Sequence, residues 1–289
     1  MRRISRLVVA LLSVTLLALE LTWTRLFSAE FFYTYAFLAL SLAVLGMGLG
    51  ALAVRLFPRL GSERLAGPYL LLTGLLALAG PPLVFRLGLD FTRLFGSAAM
   101  VGRFVVMLVC LGMPFFFGGM ALVGIFKRGR EDLPRLYAAD LLGAGLGVVV
   151  ALLLMNGIGT PRAAVWLVLP VLGAAGLVLR RAWRLLPLAV LAGMVLLAPR
   201  ARTLLASPRE ERARVVYEHW DALAKVKQYA FGDHRGLNID NVANSPVLPF
   251  DGDWDKLRAE LEPDGWDIDV GYLVDQFERC RFLVLGAGG

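Results

Sequence analysis

The chain has 289 residues, is 58% hydrophobic and has a mean hydropathy of +0.67. That is too apolar for an ordinary soluble domain and points to several membrane spans. The net charge of +7 divides unevenly, with 18 Lys/Arg against 7 Asp/Glu in residues 1–198 and 12 against 16 in residues 199–289. The basic excess lies mostly between apolar segments, where it sets topology. No basic stripe is interleaved with aromatics, which excludes a nucleic-acid footprint. Only Cys110 and Cys280 are available, too few for a disulfide framework, and His219 and His234 are too few for a zinc site.

Met1 to Arg6 is basic and leads into an apolar run reaching about Phe27. The run has no obvious small-x-small cleavage site, so it reads as a first span with its N-terminus inside. Phe31–Val54 is a second span, followed by Arg55, Arg59 and Arg64 in a cytoplasmic loop. Pro68–Phe85 is a third, interrupted by Pro81-Pro82. Val101–Phe126 is a fourth, followed by the basic loop of Lys127, Arg128, Arg130 and Arg135. Leu136–Ile158 and Ala163–Leu179 are the fifth and sixth. Leu185–Ala198 is apolar for only 14 residues, and a crossing needs about 20. With arginines on both flanks it reads as a helix along the inner surface, leaving six crossings and a cytoplasmic tail. The rival is a short seventh crossing with the tail exported.

Gly46 and Gly50 are four apart, as are Ala139, Gly143, Gly147 and Ala151. Small residues at that spacing let helix backbones approach closely, read here as packing within one bundle, with a homo-oligomer interface as the alternative. Glu20, Arg103 and Asp140 lie inside spans. Intramembrane charges mark function by default. Their structural reading is pairing, Glu20 with Arg25 or Arg103 and Asp140 beside Arg135.

After Ala198 the character changes. Residues 199–214 form a basic linker. Ala224–Phe231 and a strand and turn over Leu237–Pro246 predict a small antiparallel β-unit. Asp251, Asp253, Asp255 and Glu262 have a calcium-loop spacing, but Lys256 stands where the sharp turn needs glycine. Tyr272–Arg279 reads as helical. Arg281-Phe-Leu-Val-Leu-Gly-Ala-Gly-Gly289 reads as a buried strand running into a glycine turn, the opening of a nucleotide-binding α/β unit. Without the following helix, that signal is weak, and a glycine-rich tail is the plain alternative.

Glu20-Leu-Thr-Trp-Thr-Arg25, Leu45-Gly-Met-Gly-Leu-Gly50 and Tyr137-Ala-Ala-Asp-Leu-Leu-Gly-Ala-Gly-Leu-Gly147 resemble the membrane region of bacterial spermidine synthase-like proteins. The resemblance covers nearly the whole chain and implies a β-rich lead-in around Tyr217–Val247. It implies that Phe282–Gly289 opens an S-adenosylmethionine-type, Rossmann-like fold. Gly286, Gly288 and Gly289 would then line the nucleoside-binding loop. The implied partners are the bilayer, a nucleoside donor and an amine acceptor, with no metal. The implied reaction transfers an aminopropyl or methyl group from decarboxylated S-adenosylmethionine or S-adenosylmethionine. The family's catalytic aspartate and ribose-holding acid would lie beyond Gly289, so the expectation is an inactive, truncated version. The expected organisation is a bacterial inner-membrane domain over 1–198, the linker, and a soluble part over 215–289. A non-enzymatic transporter or scaffold with a cytoplasmic docking tail is the alternative.

Overall fold

The twenty-nine residues Arg2–Glu30 form one uninterrupted helix, α1. It contains no glycine or proline, and leucine and alanine lose little on entering a helix. The computed structural model describes residues 2–31, 34–180, 183, 185–207, 211, 213–231, 234–247, 252, 253, 255, 256 and 259. The chain divides into two units, Met1–Glu210 with His219–Lys225, and Glu211–Glu218 with Val226–Gly289.

The first unit is helical. After α1 come α2 (Thr34–Leu56), α3 (Glu63–Arg86), α4 (Ala98–Arg128) and α5 (Leu133–Ile158). They are followed by α6 (Thr160–Trp166), α7 (Leu169–Val178), α8 (Leu185–Leu197) and α9 (Ala201–Leu204). Among the described residues, seven helical segments are long and apolar enough to cross a bilayer: α1 to α5, α6 with α7 over Thr160–Val178, and Leu185–Leu204.

Small residues set the pairings. Gly143 and Gly147 of α5 lie against Ala10 and Val14 of α1, so these helices run parallel. A Cβ on Gly143 would stand 2.4 Å from the Ala10 carbonyl oxygen. Gly46 and Gly50 of α2 meet Gly112 and Phe116 of α4, again in parallel. Gly67 and Gly74 of α3 meet Leu179 and Leu172, an antiparallel pair. The unit therefore has two ends, one marked by Arg6 and the other by Glu30.

Three expectations change here. Pro81 and Pro82 lie inside a continuous α3. Apolar burial holds the helix together, because any looser backbone at that depth would leave polar groups unsatisfied. The apolar stretch after Trp183 runs from one end of the helical unit to the other. Leu179 packs on Gly67 at the Arg6 end, whereas Ser207 donates its N–H to Glu30 at the opposite end. The twenty residues Leu185–Leu204 cover that distance. At 1.5 Å per residue they reach about 30 Å, the thickness of a hydrocarbon core. The sequence estimate ended the run at Ala198, but the helical path continues past Pro199 through α9. Consequently Arg6 and Ser207 lie at opposite ends of the helical unit.

Real interruptions occur elsewhere. Gly159, at φ +85°, separates α5 from α6, and Leu167–Val168 separates α6 from α7. At the second break, the N–H of Val171 donates to Thr15 Oγ1 of α1 at 3.1 Å, and Thr15 is fully buried. That bond satisfies one of the free amides at the start of α7.

Strands β1 (Arg214–Trp220), β2 (Lys225–Phe231), β3 (His234–Ile239) and β4 (Ala243–Val247) form a four-stranded antiparallel sheet in that order. Val226 pairs with Ile239, and Ile239 with Ala243. Asp240 and Asn241 take φ 56° and 58°, and Val242 N–H donates to Ile239 O at 3.1 Å. This is the turn type that matches strand twist. The stretch Leu237–Pro246, expected as one strand and a turn, holds the end of β3, that turn and most of β4, where Pro246 is tolerated because β4 borders β3 alone.

Candidate functional site

The glycines expected to cradle a nucleoside, Gly286, Gly288 and Gly289, lie outside the described residues, as does the strand Phe282–Leu285. The intramembrane charges lie within them and are not paired as expected. Arg103 is exposed and donates to Gly88 O at 3.3 Å. Its long side chain turns toward the loop before α4. Arg25 donates to Ser28 Oγ at 3.1 Å. Among the described residues, Glu20 has no ion-pair partner. Asp140 accepts from Ser13 Oγ of α1 instead of pairing with Arg135. Arg135 lies 3.7 Å from Asp132, and Asp132 also takes Arg6 Nε at 2.6 Å. The register of Gly143 on Ala10 dictates this: it puts Asp140 beside the α1 turn that carries Ser13.

At the Glu30 end, residues His219–Lys225 belong to the helical unit. Lys225 Nζ donates to Glu30 Oε1, and Ser207 N–H donates to Oε2 at 2.8 Å. The Lys225 ammonium lies 4.8 Å from the centre of the Trp220 ring. Thr160 Oγ1 donates to Asp221 O at 2.7 Å, and Asn156 Oδ1 accepts from Ala222 N–H at 3.0 Å. Asp221 Oδ1 accepts from the N–H groups of Leu223 and Ala224 at 2.6 and 2.7 Å. Burial alone would raise the Asp221 carboxyl. The two N–H bonds, with the charges of His219 and Arg25, outweigh it and leave the carboxyl below its ordinary value. This cluster locks the tip in place, and its Glu30 and Asp221 carboxylates are occupied by these contacts.

In the sheet unit, Lys227 and Tyr229 both donate to Glu211. Burial pulls the Lys227 amine down, but the Glu211 bond and charge, with Glu218, hold it above its ordinary value.

The Arg6 end carries a cavity of about 550 Å³. Val54 and Arg55 line it from α2, Leu122, Val123, Phe126 and Lys127 from α4, Tyr137 and Asp140 from α5, and Arg130 from the turn between α4 and α5. Arg55, Lys127, Arg130 and Tyr137 are exposed. Three cations face one carboxylate, and that carboxylate already accepts from Ser13. The arrangement suits an anion with an apolar part. In the sequence these cations read only as topology signals. The discriminating feature, an apolar Leu122-Val123 and Phe126 directly before Lys127, emerges only once α5 brings Tyr137 and Asp140 alongside. Among the described residues no group of three or more His, Cys, Asp or Glu could hold a metal. Compared with protein-family models, curated proteins and solved structures, the chain finds no match.

Proposed function

We propose that the protein is a seven-crossing integral membrane protein, with Arg6 and Ser207 on opposite sides of the bilayer. The observation that carries this reading is the lock at Glu30, where Ser207 and Lys225 both return to the end of α1 that lies away from Arg6. Charge supports an orientation. The turn between α4 and α5 region holds Lys127, Arg128, Arg130 and Arg135, whereas Arg162 is the sole cation between Met155 and Val178 around the α5–α6 turn. Excess Lys/Arg favours the cytoplasmic side, so the Arg6 end faces the cytoplasm of a bacterial inner membrane. A reporter fluorescent only in the cytoplasm, fused after Arg130 in one version and after Gly289 in another, tests it. The first fusion fluoresces and the second stays dark; a bright second fusion overturns the seven-crossing reading.

A second reading rests on the resemblance to spermidine synthase-like proteins. The four-stranded sheet over Arg214–Val247 favours it, because it stands where that family's β-rich lead-in is expected. In this reading, Gly286, Gly288 and Gly289 belong to a Rossmann-like, S-adenosylmethionine-type domain. The reaction is aminopropyl or methyl transfer from the S-adenosyl donor to an amine. Sidedness separates the two readings. The donor implied by the resemblance is a charged nucleoside that charge bars from crossing a bilayer unaided, and the domain that would take it is expected in the cytoplasm. A bright fusion at Gly289 therefore favours the transferase, and a dark one favours a non-enzymatic scaffold with a docking tail.

A further inference from the structure

We propose that the 550 Å³ cavity at the Arg6 end is a binding site for the headgroup of an anionic phospholipid, with the acyl chains descending beside α5. The inference rests on the chain's being membrane-inserted, and on nothing about its soluble part.

Charge comes first. Arg55, Lys127 and Arg130 bring three cations to one opening, and Asp140 returns one negative charge. Basic pockets between membrane helices on the cytoplasmic side suit phosphate headgroups, and each Lys or Arg near the surface strengthens binding about fivefold. Arginine adds a planar fork that fits phosphate oxygens in pairs. The Tyr137 hydroxyl supplies a neutral donor of the kind found at membrane–water boundaries.

Shape comes second. The volume falls within the range of about 300–1,000 Å³ typical of small-molecule sites. Its apolar walls are Val54, Leu122, Val123 and Phe126, which a free inorganic phosphate would leave unused. Helix α5 packs mainly on α1, and α2 mainly on α4, so the cavity opens between two pairs of helices. Below Tyr137, the α5 residues Leu141, Leu142 and Leu146 stand 54–74% exposed, an apolar track running down from the cationic mouth. One amphiphile, anionic at one end and apolar below, matches both halves of the site.

The test is native mass spectrometry of the full chain in detergent, titrated with cardiolipin, phosphatidylglycerol or phosphatidylcholine. Retention should follow headgroup charge, with cardiolipin strongest and phosphatidylcholine at background. Arg55→Gln with Arg130→Gln should weaken cardiolipin about 30-fold, from about fivefold per cation. Arg55→Lys with Arg130→Lys, which keeps both charges, should lose less. Arg59→Gln with Arg64→Gln, at the same end but outside the cavity, should change binding under about threefold. Equal retention of the three lipids by the unaltered chain overturns the proposal without recourse to any variant. An equal loss in the Arg59/Arg64 variant also overturns it, by reducing the effect to general surface charge. So does saturable binding of inorganic phosphate with no lipid preference. Extraction of the chain from membranes by carbonate would instead overturn membrane insertion itself, a separate outcome.

Discussion

Glu30 and Lys225, 195 positions apart, form an ion pair almost closed to solvent, with side-chain exposures of 1% and 3%. Removing one partner of a buried pair strands the other charge, which costs about 3–5 kcal/mol, whereas replacing both with apolar groups of similar size is often neutral. Glu30→Gln and Lys225→Met should each lower thermal stability in detergent by that order. Glu30→Leu with Lys225→Met should recover most of the loss. Single losses below about 1 kcal/mol, the scale of surface pairs, would contradict the burial of this pair.

Glycines on one helix should respond in opposite ways. Gly143→Ala places a Cβ against the backbone of α1 and should destabilise by about 1–3 kcal/mol. Gly145 is exposed with nothing within 4 Å of its added Cβ, so Gly145→Ala should be neutral or stabilising by up to about 1 kcal/mol. Unfolding by a graded denaturant series in micelles separates them. Equal effects would remove the close α1–α5 contact from the account.

The bond from Val171 N–H to Thr15 Oγ1 acts as a cap supplied by another helix. Thr15→Val keeps the shape and removes the acceptor, at about 1 kcal/mol. Amide exchange at Val171 should speed up in Thr15→Val and stay slow in Thr15→Ser. Unchanged exchange in Thr15→Val would show that the cap is dispensable.

The tip of the β1–β2 hairpin should be sensitive to acid. Asp221 titrates below its ordinary value of 3.8 in the folded chain, so its contribution is complete above that pH and fades as pH falls through the lower folded value. Exchange at Leu223 and Ala224 N–H should therefore rise in strong acid, and Asp221→Asn should abolish that rise. Lys227 has the opposite sign. Its raised amine contributes fully below 10.5, and that contribution is lost as pH climbs through the folded value. Exchange along β2 should accelerate only in strong alkali, and Lys227→Met should flatten that response.

Local chemistry made much of the helical unit readable. Apolar run length located the long helices, and the four-residue spacing at Gly143 and Gly147 marked close approach, here to α1. Pairings between distant segments were not readable, because they depend on register. Asp140 has Arg135 one turn away on its own helix, yet the α1–α5 register hands it Ser13. Proline misled in the opposite direction: Pro81-Pro82 sits within a helix, and the true break at Leu167–Val168 has no glycine or proline at either position. The partnership of Glu30 and Lys225 left no local trace, since nothing near either residue names the other. The cavity needed three separate segments together before its cations read as more than a topology signal.

The main partner of α1 is α5, which begins more than a hundred residues later. At about 5–20 residues per second, a growing chain takes roughly 5–20 s to reach it after Glu30 emerges. Through that interval α1 carries Ser13, Thr15 and Thr22 without the neighbours that α5 and α7 will bring. Ser13 and Thr22 are within bonding distance of their own helix, at Val9 O and Ala18 O, at 2.9 and 2.7 Å. Those back-bonds shelter the hydroxyls during biogenesis. The completed bundle is thus closed by its earliest and later-arriving pieces, so deletion from the C-terminal side leaves α1 as an orphan for quality-control proteases to find.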